Sequence, residues 1–515
     1  MKRLFFCLAV LGVILTGCSK NDDGESDKPN NNGNEQPENP NEPELPELPA
    51  LPDPDDVCSA MDDLNFMAYC YENFDVNKDG KVSVTEANAA KEIYTTSSKW
   101  VSVKGIERFP NIEILSLNGS SITELDLRYN LKLKSISGYS SLLTTVLLPN
   151  TLTSIEKSAF KECASLIEIH FPASLTSIGV NAFYGCSSLT EINFPASLTS
   201  IGGSAFRGCS SLVEIHLSDN LTSIGEYAFS GCSSLTEINF PASLTSIRGF
   251  AFSGCSSLVE IHLPDNLTSI GERAFWSCSS LTEIHLPASL TWIGGSAFSG
   301  CSNLTKINLP DNLTSIGKTA FSGCSSLTEI HFPASLTSIG EYAFSGCSSL
   351  TEINLPASLA SIGGSAFSGC SSLTEINFPA SLTSIGESAF SFCSNLTEIH
   401  LPASLTSIGE GTFWSCSSLT EINLPASLAS IGESAFSGCS SLTEINFPAS
   451  LTSIGESAFS FCSSLTEVIC YALVPPKLNG FSNSTIENLY VPAESIQAYK
   501  DSSWAIYFKN ILPIE

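Results

Sequence analysis

Residues 379–401 read PASLTSIGESAFSFCSNLTEIHL, and residues 402–424 read PASLTSIGEGTFWSCSSLTEINL. The same phrase fills residues 149–470 as fourteen units of 23 with no insertion or deletion, about 63% of the chain. A fixed period of this length marks an architecture of stacked coils, because one unit is too small to bury its own apolar face. Within a unit, Leu189-x-x-Ile192-x-Phe194 alternates in the manner of a short strand, with Glu191 and Asn193 facing outward. Pro195 has no N–H to give to a ladder and ends that strand at a turn. Leu198 and Ile201-Gly202 then open a return segment on the opposite side, and Ala205, Phe206 and Cys209 point back into the coil. Strands stacked ~4.8 Å apart give fourteen coils an arc of roughly 65–70 Å. The fold class expected is a repeat solenoid with a long parallel β-sheet on one face.

Both flanks of the array support this reading. Upstream, Ile112-x-x-Leu115-x-Leu117, Ile122-x-x-Leu125-x-Leu127-x-x-Asn130 and Leu143-x-x-Val146-x-Leu148 are irregular versions of a leucine-rich strand phrase. Downstream, Tyr490-Val491-Pro492, Trp504 and Ile511 leave the period, as expected of a cap over the last coil. The full phrase, L-x-x-I-x-x-x-A-F-x-x-C-x-x-L-x-x-I-x-L-P, resembles that of the BspA-like leucine-rich repeat family. That resemblance implies adhesion to host or bacterial surface proteins. The alternative is a surface glycan-binding protein that uses exposed aromatic side chains as sugar platforms.

Ahead of the repeats, a short helix, a loop and a second helix are expected. The loop, Asp75-Val76-Asn77-Lys78-Asp79-Gly80-Lys81-Val82-Ser83-Val84-Thr85-Glu86, resembles an EF-hand calcium loop. The resemblance implies one Ca2+ held by side-chain oxygens of Asp75, Asn77 and Asp79, the Lys81 carbonyl, Ser83 through water, and Glu86 with both oxygens. Gly80 falls at the sharp turn, and Val82 is expected to pack inward. No second loop is found, so a structural staple is expected rather than a sensor. At the N-terminus, Lys2 and Arg3 precede an apolar run at 4–15 that is too short to span a bilayer. Leu15-Thr16-Gly17-Cys18 resembles a bacterial lipobox, which implies lipidation of Cys18. Ser19-Lys20-Asn21-Asp22-Asp23 is similar to the acidic tether of Bacteroidetes lipoproteins that reach the outer surface. Residues 20–56 hold twelve acidic residues and eight prolines, the composition of an extended stalk. The organisation expected is a signal peptide at 1–17, the stalk at 18–56 and the helix-loop-helix at 57–99. Irregular repeats follow at 100–148, then the array at 149–470 and the cap at 471–515.

The chain carries 52 acidic and 23 basic residues, a formal charge of −29, which argues against a nucleic-acid partner. Fourteen of the 19 cysteines fall in one column from Cys163 to Cys462. Neighbours in such a column have Cβ atoms about 5 Å apart, longer than the ~3.8 Å of a disulfide, so buried free thiols are expected. Cys7 leaves with the signal, Cys58 and Cys70 could bridge, and Cys470 stands alone. All 6 histidines share another column, His170, His216, His262, His285, His331 and His400, each two places after a strand glutamate. Catalysis needs unlike groups converging on one point, so this repetition reads as a solvated face and no catalytic residue is expected. An incidental divalent site at His262 and His285 is the alternative.

The glutamate column is complete in thirteen of fourteen coils, with Lys306 the one replacement. The last six coils, 333–470, hold eleven acidic residues and no basic one. That stripe is either a solvated surface or a docking face for a basic or cation-bridged partner. Its candidate residues are Glu398, Glu421, Glu444 and Glu467, with Trp276 and Trp292 as aromatic anchors. Trp414, Phe250, Tyr184, Tyr227 and Tyr342 also break columns of small residues, either as hot spots or as gap fillers. A monomer held to the membrane by a lipid anchor alone is expected.

Overall fold

Glu191–Asn193 is a three-residue strand whose middle side chain is buried and whose ends are exposed, as its alternation requires. It is the first strand of a seven-stranded sheet, and the next strand, Glu214–His216, lies between it and the one after, with Glu214 directly opposite both Glu191 and Glu237. This parallel register, one whole unit per step, recurs from coil to coil and forms the front sheet. The computed structural model describes residues 45–95, 99–138, 140–481 and 486–514. The signal segment, Cys18 and the stalk as far as residue 44 lie outside the described residues. Beyond His331 the front ladder continues through single bridges, His331 to Asn354 and Asn354 to Asn377, before Glu375–Asn377 resumes it.

The return segment is more ordered than expected. Its Ser-Ile pairs are themselves parallel strands, so Ser200 and Ile201 lie opposite Ser177 and Ile178 and a second, back sheet runs beside the first. Between the sheets, each coil buries leucine, isoleucine, phenylalanine and cysteine from the same positions of the unit, with an alanine that only the coil at 402–424 replaces, by Thr412. The phenylalanines stack on one another from Phe160 to Phe481, with centroids 5.1–5.8 Å apart. Neighbouring rings in the middle of the array are within 10° of parallel. Each coil thus supplies one side of a core that only its neighbours complete. The turn from the back sheet toward this stack is set by glycine. A Cβ on Gly386 would lie 2.4 Å from the Gly364 nitrogen, and one on Gly363 would lie 2.6 Å from that of Glu341.

The irregular repeats divide between the two sheets. Elements β1 (Glu92–Tyr94), β2 (Ile114–Ser116) and β4 (Ser135–Ser137) form one sheet, and β4 adjoins the first strand of the back ladder. Elements β3 (Glu124–Asp126) and β5 (Thr145–Leu147) lead instead into Glu168–His170 of the front ladder. The phrase at 112–117 therefore belongs to the back face, and those at 122–127 and 143–148 to the front. Alternation buries the same side chains on either face, so it cannot assign the side. Because β1 already pairs with β2, the solenoid begins inside the segment assigned to the helix-loop-helix. Leu48–Glu515 is one compact unit, so the end of the stalk segment packs as well. Asp53 pairs with Lys81 at 2.9 Å, and Asp56 accepts from the Val82 N–H.

Two helices precede the sheets, α1 (Leu64–Phe74) and α2 (Val84–Ala89). Asp63 caps α1 by accepting from Asn65 and Phe66, and its other oxygen accepts from the Val101 and Ser102 N–H groups of the first coils. One carboxylate thus ties the helix to the solenoid. At the far end, Ile486–Val491 and Phe508–Pro513 extend the front sheet by two strands. The cap leaves the period but not the ladder. Tyr499 and Trp504 are fully buried against the last coils, and the Trp504 indole donates to the Pro476 carbonyl at 2.9 Å.

Two outcomes are expected. Gly386→Ala forces backbone against backbone and lowers stability by about 1–3 kcal/mol. Gly364→Ala, whose Cβ comes no closer than 3.3 Å, to the Glu387 carbonyl, has little effect. Urea unfolding of both variants checks this. Burial raises the Asp63 pKa, but the N–H groups of Val101, Phe66, Ser102 and Asn65 outweigh it and hold the carboxyl below its ordinary value. A carboxyl lowered in this way contributes stability above its unfolded pKa of about 3.9 and loses it as pH falls through the folded value. The deficit of Asp63→Asn, about 1–2 kcal/mol at neutral pH, should therefore shrink in melting curves taken below about pH 4.

Candidate functional site

The loop between α1 and α2 has the turns that its sequence requires. Lys78 and Gly80 are left-handed, with φ of 60° and 87°. Asp75 accepts the N–H groups of Asp79 and Gly80, Asn77 accepts that of Asp79, and Asp79 accepts that of Lys81. Val82 is buried, as expected. Glu86 closes a capping box with Ser83, while its other oxygen accepts from the N–H groups of Val76 and Asn77. The Ser83 N–H, then the Ser83 hydroxyl, hold the Glu86 carboxyl down to about 2. Among the described residues, no three His, Cys, Asp or Glu side chains stand together as a ready metal-binding group. The loop's donors are close in sequence and turn geometry, with Glu86 occupied by backbone N–H groups.

On the front sheet, each histidine faces the glutamate of its own strand, His170 to Glu168 at 2.9 Å and His285 to Glu283 at 3.4 Å. His262 and His285 are neighbours across the ladder, with ring centroids 6.4 Å apart. The pairs repeat along an exposed face, and at Glu329, which meets His331 at 3.1 Å, Lys306 of the adjacent strand also approaches to 3.6 Å. Glu398 lies on this face directly opposite Glu375, and Glu444 directly opposite Glu467. Glu421 continues the column on its neighbouring coil.

The cysteine column is buried, as expected, and each thiol has a partner. Cys186 donates to the Phe160 carbonyl at 3.1 Å and Cys301 to that of Phe275 at 3.3 Å, one coil back. Burial pushes the Cys209, Cys255 and Cys301 thiols up to about 12. Cys58 and Cys70 are both buried free thiols, and Cys470 is held by the Tyr499 hydroxyl at 3.1 Å.

The proposed anchors do not share the glutamate face. Trp292 stands on the back sheet in Trp292–Ile293, 48% exposed. Trp276, 44% exposed, stands on the third side of the coil, the turn beside the phenylalanine stack. The six candidates are thus spread over three faces. Also on the turn face are Phe392 and Phe461, both exposed, and the cations Arg207, Arg273 and Lys318, none of which the sequence reading singled out. Tabulating every departure by its place in the unit would have shown them together.

This geometry defines first a leucine-rich-repeat solenoid, a scaffold of long uninterrupted faces. The chain belongs to the BspA type leucine rich repeat family, which matches residues 131–258, 222–348, 314–423 and 384–504. Among curated proteins, none matches. A leucine-rich repeat protein from Bacteroides ovatus is similar at 34% identity, over 66% of this chain and 88% of its own, with a TM-score of 0.58. A leucine rich cell surface protein from Faecalibacterium prausnitzii is 29% identical over 65% of this chain and 84% of its own, with a TM-score of 0.41. The leucine-rich repeat protein of T. pallidum is 32% identical over 34% and 78%, with a TM-score of 0.28. Leucine-rich repeat proteins are typically binding scaffolds, and protein partners are the general rule.

The thiol column makes a direct prediction. In the folded protein a charged disulfide reagent should label none of the fourteen array cysteines over minutes, and all of them in denaturant. Labelling in the native state, read by mass spectrometry, would contradict the packing described.

Proposed function

We propose that this chain is a lipid-anchored surface protein whose solenoid binds macromolecules on host or bacterial surfaces by adhesion rather than by catalysis. The observation that carries this reading is the unbroken register of the array, which presents columns of like groups side by side instead of converging unlike ones. Such a face suits an extended partner. Glu398, Glu421, Glu444 and Glu467 are the residues that would meet a basic protein surface, because the coils around them contain no Lys or Arg to neutralise them. Cys18 is the lipid attachment point in this reading, and the acidic stalk is the spacer. No described helix is long and apolar enough to cross a membrane. The test is binding of the full chain to immobilised extracellular-matrix proteins. Changing the four glutamates to Gln should weaken capture at least tenfold, and unchanged capture would remove the stripe from the proposal.

The loop would hold one Ca2+ through Asp75, Asn77, Asp79, Lys81, Ser83 and Glu86. The fit rests on a donor set made only of oxygen, on the left-handed turns at Lys78 and Gly80, and on a glutamate kept ionised. The ion would staple α1 to α2 in front of the first coil. Chelator should lower the melting temperature of the unmodified chain and leave Asp75→Ala and Glu86→Ala unaffected. A chelator-insensitive parent would rule the staple out.

A further inference from the structure

Basic residues are scarce in the array, and they are not scattered. Residues 149–470 contain seven Lys and Arg, and only Lys306 lies in the front glutamate column. Arg207, Arg273 and Lys318 line one groove of about 940 Å³ on the turn face, together with Tyr227, Phe250 and Trp276. Tyr227 and Phe250 stack at 4.4 Å, with rings 14° from parallel. The Arg207 guanidinium sits 5.0 Å above Tyr227 and 5.9 Å from Tyr184, and Arg273 sits 5.2 Å above Phe250. Arg273 also approaches Glu272 at 3.8 Å and Lys318 pairs with Glu341, whereas Arg207 has no carboxylate within ion-pair distance among the described residues.

Packing does not explain these side chains. Tyr227, Phe250 and Arg273 hold the same place in three successive coils, and their backbones are left-handed, with φ of 57°, 57° and 53°. Other coils satisfy that conformation with serine, as at Ser204, Ser296 and Ser365. Bulky residues are among the least favoured there, and persistent unfavourable conformations cluster at binding sites. Serine and threonine hydroxyls, glycines that include Gly231 and Gly254, and one carboxylate, that of Glu272, complete the lining.

We propose that this groove is a binding site for an acidic polysaccharide, independent of the protein-binding reading of the front face. Flat rings suit the apolar faces of sugar rings, hydroxyls suit sugar hydroxyls, and the cations suit carboxylate or sulfate groups. Arg207, Arg273 and Lys318 are separated by three and two coils, about 14 Å and about 10 Å at the strand spacing. That interval matches charges carried by whole sugar units better than a charge at every backbone step. The front glutamates lie on another face, where salt screens them beyond about 8 Å.

The test is surface binding of the full chain to chondroitin sulfate and hyaluronate, with dextran, poly-L-glutamate and single-stranded DNA alongside. The variant combines Arg207→Ser, Tyr227→Ser, Arg273→Ser and Trp276→Ser, each introducing the residue that other coils carry at that place. The variant should keep the parent's melting curve. Expected are binding of at least one acidic polysaccharide over dextran, its weakening between about 50 mM and about 500 mM salt, and at least a tenfold loss in the variant. The four-glutamate variant of the front face should bind the polysaccharide as the parent does. Equal binding by the serine variant, no binding by the parent, or tighter capture of poly-L-glutamate or DNA would overturn the proposal.

Discussion

Each coil rests on the aromatic ring of the coil before it. The phenylalanine stack runs the length of the array, and the other columns take their places relative to it. From Cys186 onward, the thiol beside each ring returns a hydrogen bond to the phenylalanine carbonyl one coil back, which leaves that buried acceptor satisfied. On the other side of the turn, glycine lets two backbones approach more closely than any Cβ would allow. Two array coils replace this glycine, with Glu156 and Arg248, and the Arg248 N–H reaches the Ile224 carbonyl at 3.3 Å, against 2.8 Å for Gly202 and Gly271 in their coils. A repeat unit this uniform is held by contacts made the same way many times.

That uniformity divides the surface by its freedom to change. Front positions alternate glutamate with asparagine or histidine and stay polar up to the last coil, where Ile469 takes the asparagine place. The places on the turn face that point away from the stack accept serine, arginine, tyrosine or tryptophan without altering the ladder. Departures from the repeat accumulate there because the fold does not need those side chains, and binding can use them.

The ladder was legible in the sequence because a period of 23 places identical side chains in identical columns. The buried thiols, the outward glutamates and the histidine pairs all followed from that. Three features did not. The phrase at Ile112–Leu117 looks like its neighbours, yet it pairs on the back sheet, since alternation is blind to the side of the coil. Trp276 and Trp292 are close in the chain but occupy different places in the unit, and that place decides the face. The groove residues come from different coils, so Arg207 meets Tyr227 only after folding. In the loop, the residue types pointed to oxygen donors, but the hold of Val76 and Asn77 on Glu86 depends on backbone geometry.

The hydrogen bonds of both sheets run along the stacking direction, from one coil to the next. Tension between the two ends of the solenoid therefore does not shear a whole sheet at once. It loads the rungs in series and peels coils from whichever end yields first. The buried Tyr499–Trp504 plug at one end and the Asp63 clasp at the other are thus the mechanical latches of the molecule. Its resistance to force is set by those ends and not by the number of coils between them.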